Sequence, residues 1–389
     1  MQAFNVLYLI ESLEVGGSEV FVERLVSRLD RSMFVPMVCC LARKGTLASR
    51  VENGGTRVMS LDWRLGSSRS TMGTVEKLTR LVRNERVDLV HSFFYRPEIL
   101  GVFSARLAGA PVFLASQRDL LAPEGRIVRV FWRLADRLVT HVVANSEEGR
   151  RYRERAVGRP CSKTSVIYNG VPAEELGAGG AEAHPWQPDG RVNGEAAGPN
   201  PVITFVGRLH PVKGPDVFVR AAELVSRVVP DARFVMAGDG PARSELRDLI
   251  QRLGLDAIVT MPGAVSPPGC ILKQSSLVVC PSRTESFPTV ILEAMGLGVA
   301  VVAAKVGGVC ELVEDGVDGF LFESENVTQL AELVVGLLRD RERAVSAGVR
   351  ARRKVMTRFR FEDTVAQTEA LYLRLLEGRR GSGAMLVTS

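Results

Sequence analysis

Residues 5–29 read NVLYLIESLEVGGSEVFVERLVSRL, and this stretch decides the architecture. The run 5–10 alternates too little to be half-exposed, so it reads as a strand buried on both faces, as strands of parallel sheets are. Gly16-Gly17-Ser18 follows, and from Phe21 to Leu29 apolar residues recur at helical spacing. Strand, glycine turn and helix make one α/β unit. Glycine there lets backbone approach a phosphate at the helix N-terminus, although a plain tight turn needs glycine equally. G-x-G-x-x-G is absent, which argues against a standard dinucleotide fingerprint.

The unit recurs along the chain. Strand-like runs at 37–41, 57–60, 89–91, 111–115 and 141–144 alternate with helical patterns at 74–83, 99–107 and 126–138. The stretch from Pro172 to Pro201 is rich in Gly, Ala and Pro. A second series follows, with strands at 202–206, 233–237, 258–261, 277–280 and 300–304 and helices at 215–229, 243–253 and 289–297. Helices at 327–338, 341–357 and 361–376 close it. Such alternation predicts doubly wound parallel sheets. The expected organisation is a domain at 1–172, a linker or loop at 173–200, a domain at 201–358, a helix at 359–377 returning to the first domain, and a flexible tail at 378–389. Two such domains predict a cleft, with ligands beyond the carboxyl ends of the strands.

Length and composition agree. At 389 residues the chain is too long for one ordinary domain, and 46% hydrophobic with 24% charged residues is globular composition. The longest uncharged stretch, 257–272, holds three prolines and is too short to span a bilayer. The N-terminus has no basic n-region and does not read as a signal peptide, so a cytoplasmic protein is expected. Six cysteines at 39, 40, 161, 270, 280 and 310 include no C-x-x-C pair and read as a mostly buried, reduced set. The histidines at 91, 141, 184 and 210 lack metal-ligand spacing, and no D-x-D pair is present, so no metal or other cofactor is expected. Residues 1–172 carry 26 Lys+Arg against 17 Asp+Glu, a charge of +9, while the remainder carries 24 against 27, or −3. A basic N-terminal half suits an anionic partner: nucleic acid, a membrane surface or a phosphorylated substrate. Solvated arginines on helices account for it as well.

Three segments carry chemistry. Gly207-Arg208-Leu209-His210-Pro211-Val212-Lys213-Gly214 follows a strand and ends at Pro215, placing two cations where they could clamp a diphosphate. In the segment from Pro281 to Met295, Glu285 lies in a loop after a buried strand, and Glu293 lies eight residues later in an otherwise apolar helix. A carboxylate there implies a polar partner, protein or ligand. Gly307-Gly308 offers a second helix N-terminus for phosphate. No Ser-His-Asp or Cys-His arrangement is evident.

Together these residues resemble the retaining glycosyltransferases of family 4, the group 1 glycosyltransferases, over nearly the whole chain. The resemblance rests on Gly16-Gly17-Ser18-Glu19, Val166-Ile167-Tyr168-Asn169-Gly170-Val171, Phe205-Val206-Gly207-Arg208 with Lys213-Gly214, Ala237-Gly238-Asp239-Gly240-Pro241, the Glu285–Glu293 segment, and Gly307-Gly308 with Glu311-Leu312-Val313 and Gly319. It implies a GT-B fold, two Rossmann-like doubly wound domains facing across a cleft. It further implies transfer of a sugar from a nucleotide-diphosphate donor to a glycan or lipid-linked acceptor in polysaccharide assembly. On this resemblance Arg208 and Lys213 neutralise the diphosphate and Glu285 meets the hexose. Glu293 holds the ribose, the backbone of Phe287, Pro288, Thr289 and Val290 meets sugar and phosphate, and Gly17 closes on the phosphate. The leaving phosphate oxygen would take the acceptor proton in a front-face attack, without a metal.

The departures lie at the acceptor end. Of two histidines usual near His91-Ser92-Phe93 only His91 is present, and Ser116-Gln117-Arg118-Asp119 replaces a further histidine. Arg118 is the expected substitute for binding a phosphorylated acceptor, and His91 reads either as an acceptor-site base or as a core histidine. Ala300 stands where the family has proline. Arginines at 126, 129, 133 and 137 on one helical face beside Trp132 suggest contact with an anionic membrane, or simply a solvated face. Rival readings are a nucleotide-sugar epimerase on the same fold, whose acid/base groups are not found, and a catalytically silent nucleotide-sugar-binding protein, disfavoured by the intact Arg208, Lys213, Glu285 and Glu293. Nucleic acid is not expected as a partner.

Overall fold

Strands β1 (Phe4–Ile10), β2 (Phe34–Cys40), β3 (Arg57–Ser60), β4 (Leu89–Phe93), β5 (Val112–Gln117), β6 (His141–Ala144) and β7 (Thr164–Val166) form one wholly parallel sheet in a computed structural model of the chain. The structure describes residues 3–64, 68–158, 163–176, 191–192, 195–196 and 200–384. The strand order is β3-β2-β1-β4-β5-β6-β7, so the winding reverses between β1 and β4. The two-residue period of β1 serves both faces. Leu7 and Leu9 enter a core with Met37, Phe113, Leu78 and Val102, while Tyr8 points to the opposite side. The helix Tyr95–Ala108 lies close on this sheet: a Cβ at Gly101 would stand 2.5 Å from Leu9 Cδ2.

Two-residue strands β8 (Arg191–Val192) and β9 (Glu195–Ala196) pair antiparallel. Strands β10 (Val202–Val206), β11 (Arg233–Ala237), β12 (Val259–Gly263), β13 (Leu277–Cys280), β14 (Ala300–Ala304) and β15 (Phe320–Phe322) make a second parallel sheet, ordered β12-β11-β10-β13-β14-β15. Its winding reverses between β10 and β13. Ile203 and Phe205 pack with Phe218, Val225, Phe234 and Val279 on one face, while Thr204 on the other accepts a hydrogen bond from Ser275 Oγ at 2.6 Å.

The chain divides into two units, Met1–Tyr168 with Asp363–Ser389, and Asn169–Glu362. The first unit therefore ends four residues earlier than the expected 172. Val171 is already bridged to Arg360, and its N–H donates to the Phe359 carbonyl at 2.9 Å, so residues 169–171 belong with 359–361 in the second unit. A Cβ at Gly170 would lie 2.4 Å from the Arg360 carbonyl carbon, so only glycine permits this approach. Of the expected linker, residues 177–190, 193–194 and 197–199 lie outside the described residues. Ala173–Leu176 forms a 3₁₀ turn, and Leu176 is buried against Gly296.

The last helix, Phe361–Ala384, continues past Gly378, where a tail was expected. Each helical glycine costs about 1 kcal/mol relative to alanine, and the helix runs through Gly378, Gly381 and Gly383 all the same. The helices Ala48–Asn53 and Glu147–Val157 and the strands β7 and β15 were not apparent in the sequence. Cys39, Cys40 and Cys280 are buried, but Cys270 and Cys310 are exposed, all as free thiols; Cys161 and His184 lie outside the described residues. Among the described residues no helix is long and apolar enough to cross a membrane.

Candidate functional site

In the second unit the switch point between β10 and β13 gathers the sequence-predicted cations and carboxylates. Beyond β10, His210 caps the 3₁₀ turn Pro211–Lys213, its Nδ1 accepting from Val212 N–H at 3.2 Å, and Gly214 ends it in the left-handed region at φ +63. A Cβ at Gly214 would sit 2.0 Å from the Pro281 carbonyl oxygen, so glycine alone brings this loop against the one after β13. Arg283 fastens the same junction, its backbone N–H donating to the Val212 carbonyl and its guanidinium gripping Asp216 through two hydrogen bonds of 2.9 and 2.8 Å. Those bonds hold the Asp216 carboxyl below the usual carboxylate range.

The docked loops aim Lys213 Nζ at Glu285 Oε1, 2.6 Å away, and Ser282 Oγ donates to the same oxygen at 2.8 Å. The Glu285 side chain is 9% exposed and that of Lys213 32%. Burial works against the Lys213 charge, but the Glu285 carboxylate more than offsets it and holds the ammonium pKa above the ordinary lysine value. Burial, with the Glu285 charge beside it, pushes the Cys280 thiol up to about 11. Ser282 was not singled out in the sequence; a serine between a strand and a glutamate carries no distinguishing spacing. Arg208 emerges exposed from the same strand end.

The helix Thr289–Gly296 starts beside this cluster. Ile291, Leu292, Ala294, Met295 and Gly296 are buried, while Thr289, Val290 and Glu293 are half-buried on one face, as their spacing of three and four residues requires. Its N-cap, Pro288, supplies no side-chain hydrogen bond, leaving the initial N–H groups to other acceptors. Phe287 is buried, its ring 5.6 Å from that of Phe359, and its carbonyl accepts from Asn169 Nδ2 at 3.2 Å. Glycine at 307–308 does not provide the second open N-terminus expected there. The helix Val309–Leu312 has four residues, and Gly308 N–H donates to the Glu285 carbonyl at 3.1 Å, which fixes the Glu285 loop instead.

In the first unit the switch point lies between β1 and β4. Gly17 is exposed as the first residue of the helix Gly17–Arg28, and the Glu19 carboxylate folds back over that start: a Cβ at Gly16 would lie 2.4 Å from Glu19 Oε2. Arg118, just beyond β5, lays its guanidinium 3.7 Å from the centre of the Phe21 ring. Burial lowers its pKa to about 9, with Glu19 pulling the other way, so it stays charged near neutrality.

His91 is placed differently from an acceptor-site base. It is 2% exposed; Nδ1 pairs with Tyr372 OH at 2.6 Å and Nε2 with Ser116 Oγ at 2.7 Å. A neutral imidazole has one donor and one acceptor, and both are spent inside the unit. Burial, assisted by the Arg118 charge, lowers its pKa to about 3. Phe94 was not anticipated. It follows β4 at φ +70, an unusual backbone for an aromatic residue at the carboxyl edge of the switch point.

A model of the group 1 glycosyl transferases matches residues 189–354, and one of glycosyltransferase family 4 matches residues 15–175. The UDP-Gal:alpha-D-GlcNAc-diphosphoundecaprenol alpha-1,3-galactosyltransferase of Escherichia coli is 27% identical over 78% of this chain and 80% of its own. A D-inositol 3-phosphate glycosyltransferase of Mycobacterium avium is 36% identical over 47% of this chain, a match spanning 45% of that enzyme. Among solved structures, Anabaena HepE in complex with UDP and glucose superposes with a TM-score of 0.82 at 26% identity, covering 95% of this chain and 99% of HepE. With both sheets, both switch points and both family models accounted for, the chain belongs to the family 4, group 1 glycosyltransferases of GT-B fold.

Proposed function

We propose that the chain moves a sugar from a nucleoside diphosphate donor, bound by the second unit, to a glycan or lipid-linked acceptor in the assembly of cell-surface or extracellular polysaccharide. The observation that carries the reading is the pairing of Lys213 with Glu285 at the β10/β13 switch point, where open α/β sheets bind ligands. As the bond between the anomeric carbon and the phosphate oxygen breaks, negative charge grows on the leaving diphosphate. Lys213 and Arg208 meet that charge, aided by N–H groups at the start of the helix Thr289–Gly296. Glu285 orients sugar hydroxyls and Glu293 the ribose, while Phe287, Pro288, Thr289 and Val290 line the backbone path between them.

Retention follows if the leaving phosphate oxygen accepts the acceptor's proton on the face it departs from, and the two cations make a divalent metal unnecessary. Arg118, stacked on Phe21, binds the phosphate of a phosphorylated acceptor, and His91 serves by holding Ser116 and Tyr372. HepE, solved with UDP and glucose, and the E. coli relative, named for a diphosphoundecaprenol-linked substrate, support the donor and acceptor classes. A thermal-shift panel of uridine, guanosine and adenosine diphosphate sugars tests the reading. One nucleotide class should raise the melting temperature, because a ligand binding only the folded state stabilises it, and transfer should persist in chelator. No shift with any donor would sink the donor reading, and chelator-sensitive transfer would sink the metal-free step.

A further inference from the structure

The helix Arg126–Leu138 presents three distinct faces. At about 100° per residue, Trp132, Ala135 and Asp136 fall on the side packed into the first unit, and all three are buried. That side is tied into the unit: the Arg153 guanidinium lies 4.9 Å from the Trp132 ring centre and its Nη2 is 2.8 Å from Asp136 Oδ1. Arg126, Arg129, Arg133 and Arg137 occupy one flank. Ile127, Val130, Phe131, Leu134 and Leu138 form a continuous stripe on the outward side, each between 36% and 73% exposed. Trp132, which the sequence placed among the membrane-facing residues, is therefore a core residue, and the stripe next to the arginines takes its place.

An amphipathic helix of a globular domain normally turns its apolar stripe inward. This one turns five apolar side chains outward beside a row of arginines, and its one acidic residue, Asp136, is buried in an ion pair. Residues 1–172 add a charge of +9, from 26 Lys+Arg against 17 Asp+Glu. Phosphate headgroups would take the guanidinium groups, and the acyl boundary just beneath them would take the apolar stripe. At 13 residues the helix is too short to cross a bilayer and suits one that lies in its surface. We propose that this face docks the protein onto an anionic phospholipid bilayer, with the helix in the interfacial plane and Ile127, Phe131 and Leu134 inserted. The surface is independent of the donor site, and its test needs no sugar donor.

The full chain is sedimented with vesicles of phosphatidylcholine alone, or of three parts phosphatidylcholine to one part phosphatidylglycerol. Binding should be at least about tenfold stronger on the anionic vesicles and should weaken with salt. Arg126→Gln, Arg129→Gln and Arg137→Gln together should weaken it by about 100-fold, at about fivefold per arginine. Arg133 is left intact because its Nε donates to the Ala156 carbonyl at 3.1 Å. Phe131→Ser with Leu134→Ser should weaken it more than about tenfold. The substituted side chains are exposed, so an unchanged melting temperature verifies the fold. Equal binding to neutral and anionic vesicles, or undiminished binding by the Phe131→Ser/Leu134→Ser variant, would overturn the proposal. So would a dimer in vesicle-free buffer that this variant dissolves, since the stripe would then join two copies of the chain.

Discussion

Replacing Lys213 by methionine removes an ammonium while keeping most of the side-chain volume. Its partner Glu285 is 9% exposed and is left with the Ser282 hydroxyl on the same oxygen. Stranding one member of a fully buried ion pair costs about 3–5 kcal/mol. Lys213 is 32% exposed, so water screens the pair and relaxes around the stranded carboxylate, and about 1–3 kcal/mol is expected. In a double-mutant cycle with Glu285→Gln, the double variant should recover about 1–2 kcal/mol relative to the sum of the singles. Urea unfolding measures this coupling. The folded-state pKa of Lys213 is raised, so its stabilising contribution is complete below its unfolded value and fades as pH rises through and above it.

Turnover carries a separate expectation. Losing a charge-assisted contact to the diphosphate removes about 1.5–3 kcal/mol, which lowers kcat/KM by about 10- to 150-fold with the donor identified by thermal shift. A Lys213→Met enzyme within about twofold of the parent would refute the diphosphate role. A cycle additive to within about 0.3 kcal/mol would refute the ion pair as a structural element.

Two further outcomes follow from the first unit. His91 has a depressed folded-state pKa of about 3, so the stability it gives is present above its unfolded value of 6.5 and is lost as pH falls through the interval. Between pH 6.5 and 4.5 the loss is about 2–3 kcal/mol, and His91→Gln should flatten that decline in circular dichroism; an unchanged acid transition would contradict it. Arg153, 1% exposed, bridges Glu98 through bonds of 2.9 and 2.6 Å and Asp136 at 2.8 Å, so Arg153→Met should cost about 3–5 kcal/mol in urea. Adding Glu98→Gln and Asp136→Asn should restore part of it, and equal urea midpoints for parent and Arg153→Met would show that the triad is not a support.

The sheets were legible because their strands centre on short apolar runs: 57–60, 141–144, 202–206, 233–237, 277–280 and 300–304 match the structure residue for residue. The helix Glu147–Val157 escaped notice because its buried positions are Gly149 and Arg153, so no apolar period marks it. The donor-side segments were readable as cations and carboxylates at strand ends, yet which of them would meet depended on Gly214 admitting one loop against another. His91 was ambiguous for a physical reason. One residue in a strand cannot show which hydroxyls face it, and its partners lie 25 and 281 residues away. Arg118 could be proposed from its place after a strand, but the Phe21 ring beneath it comes from a helix nearly 100 residues earlier. Phe94 has no sequence signal at all, since an aromatic residue with positive φ is imposed by its surroundings.

Tyr372 OH reaches both His91 Nδ1 and Tyr8 OH, at 2.6 and 2.9 Å, and it comes from the helix that ends the described chain. During synthesis the residues of the second unit, Asn169–Glu362, all leave the ribosome before that tyrosine does. The first unit thus waits with an unfilled place beside β1 and β4 while the second can already fold, reversing the usual order in which the earlier domain finishes first. A transcript truncated shortly before residue 363 would encode one whole domain and the other without its closing helix. The packing beside β1 and β4 is therefore completed only by a helix made after the whole of the second unit.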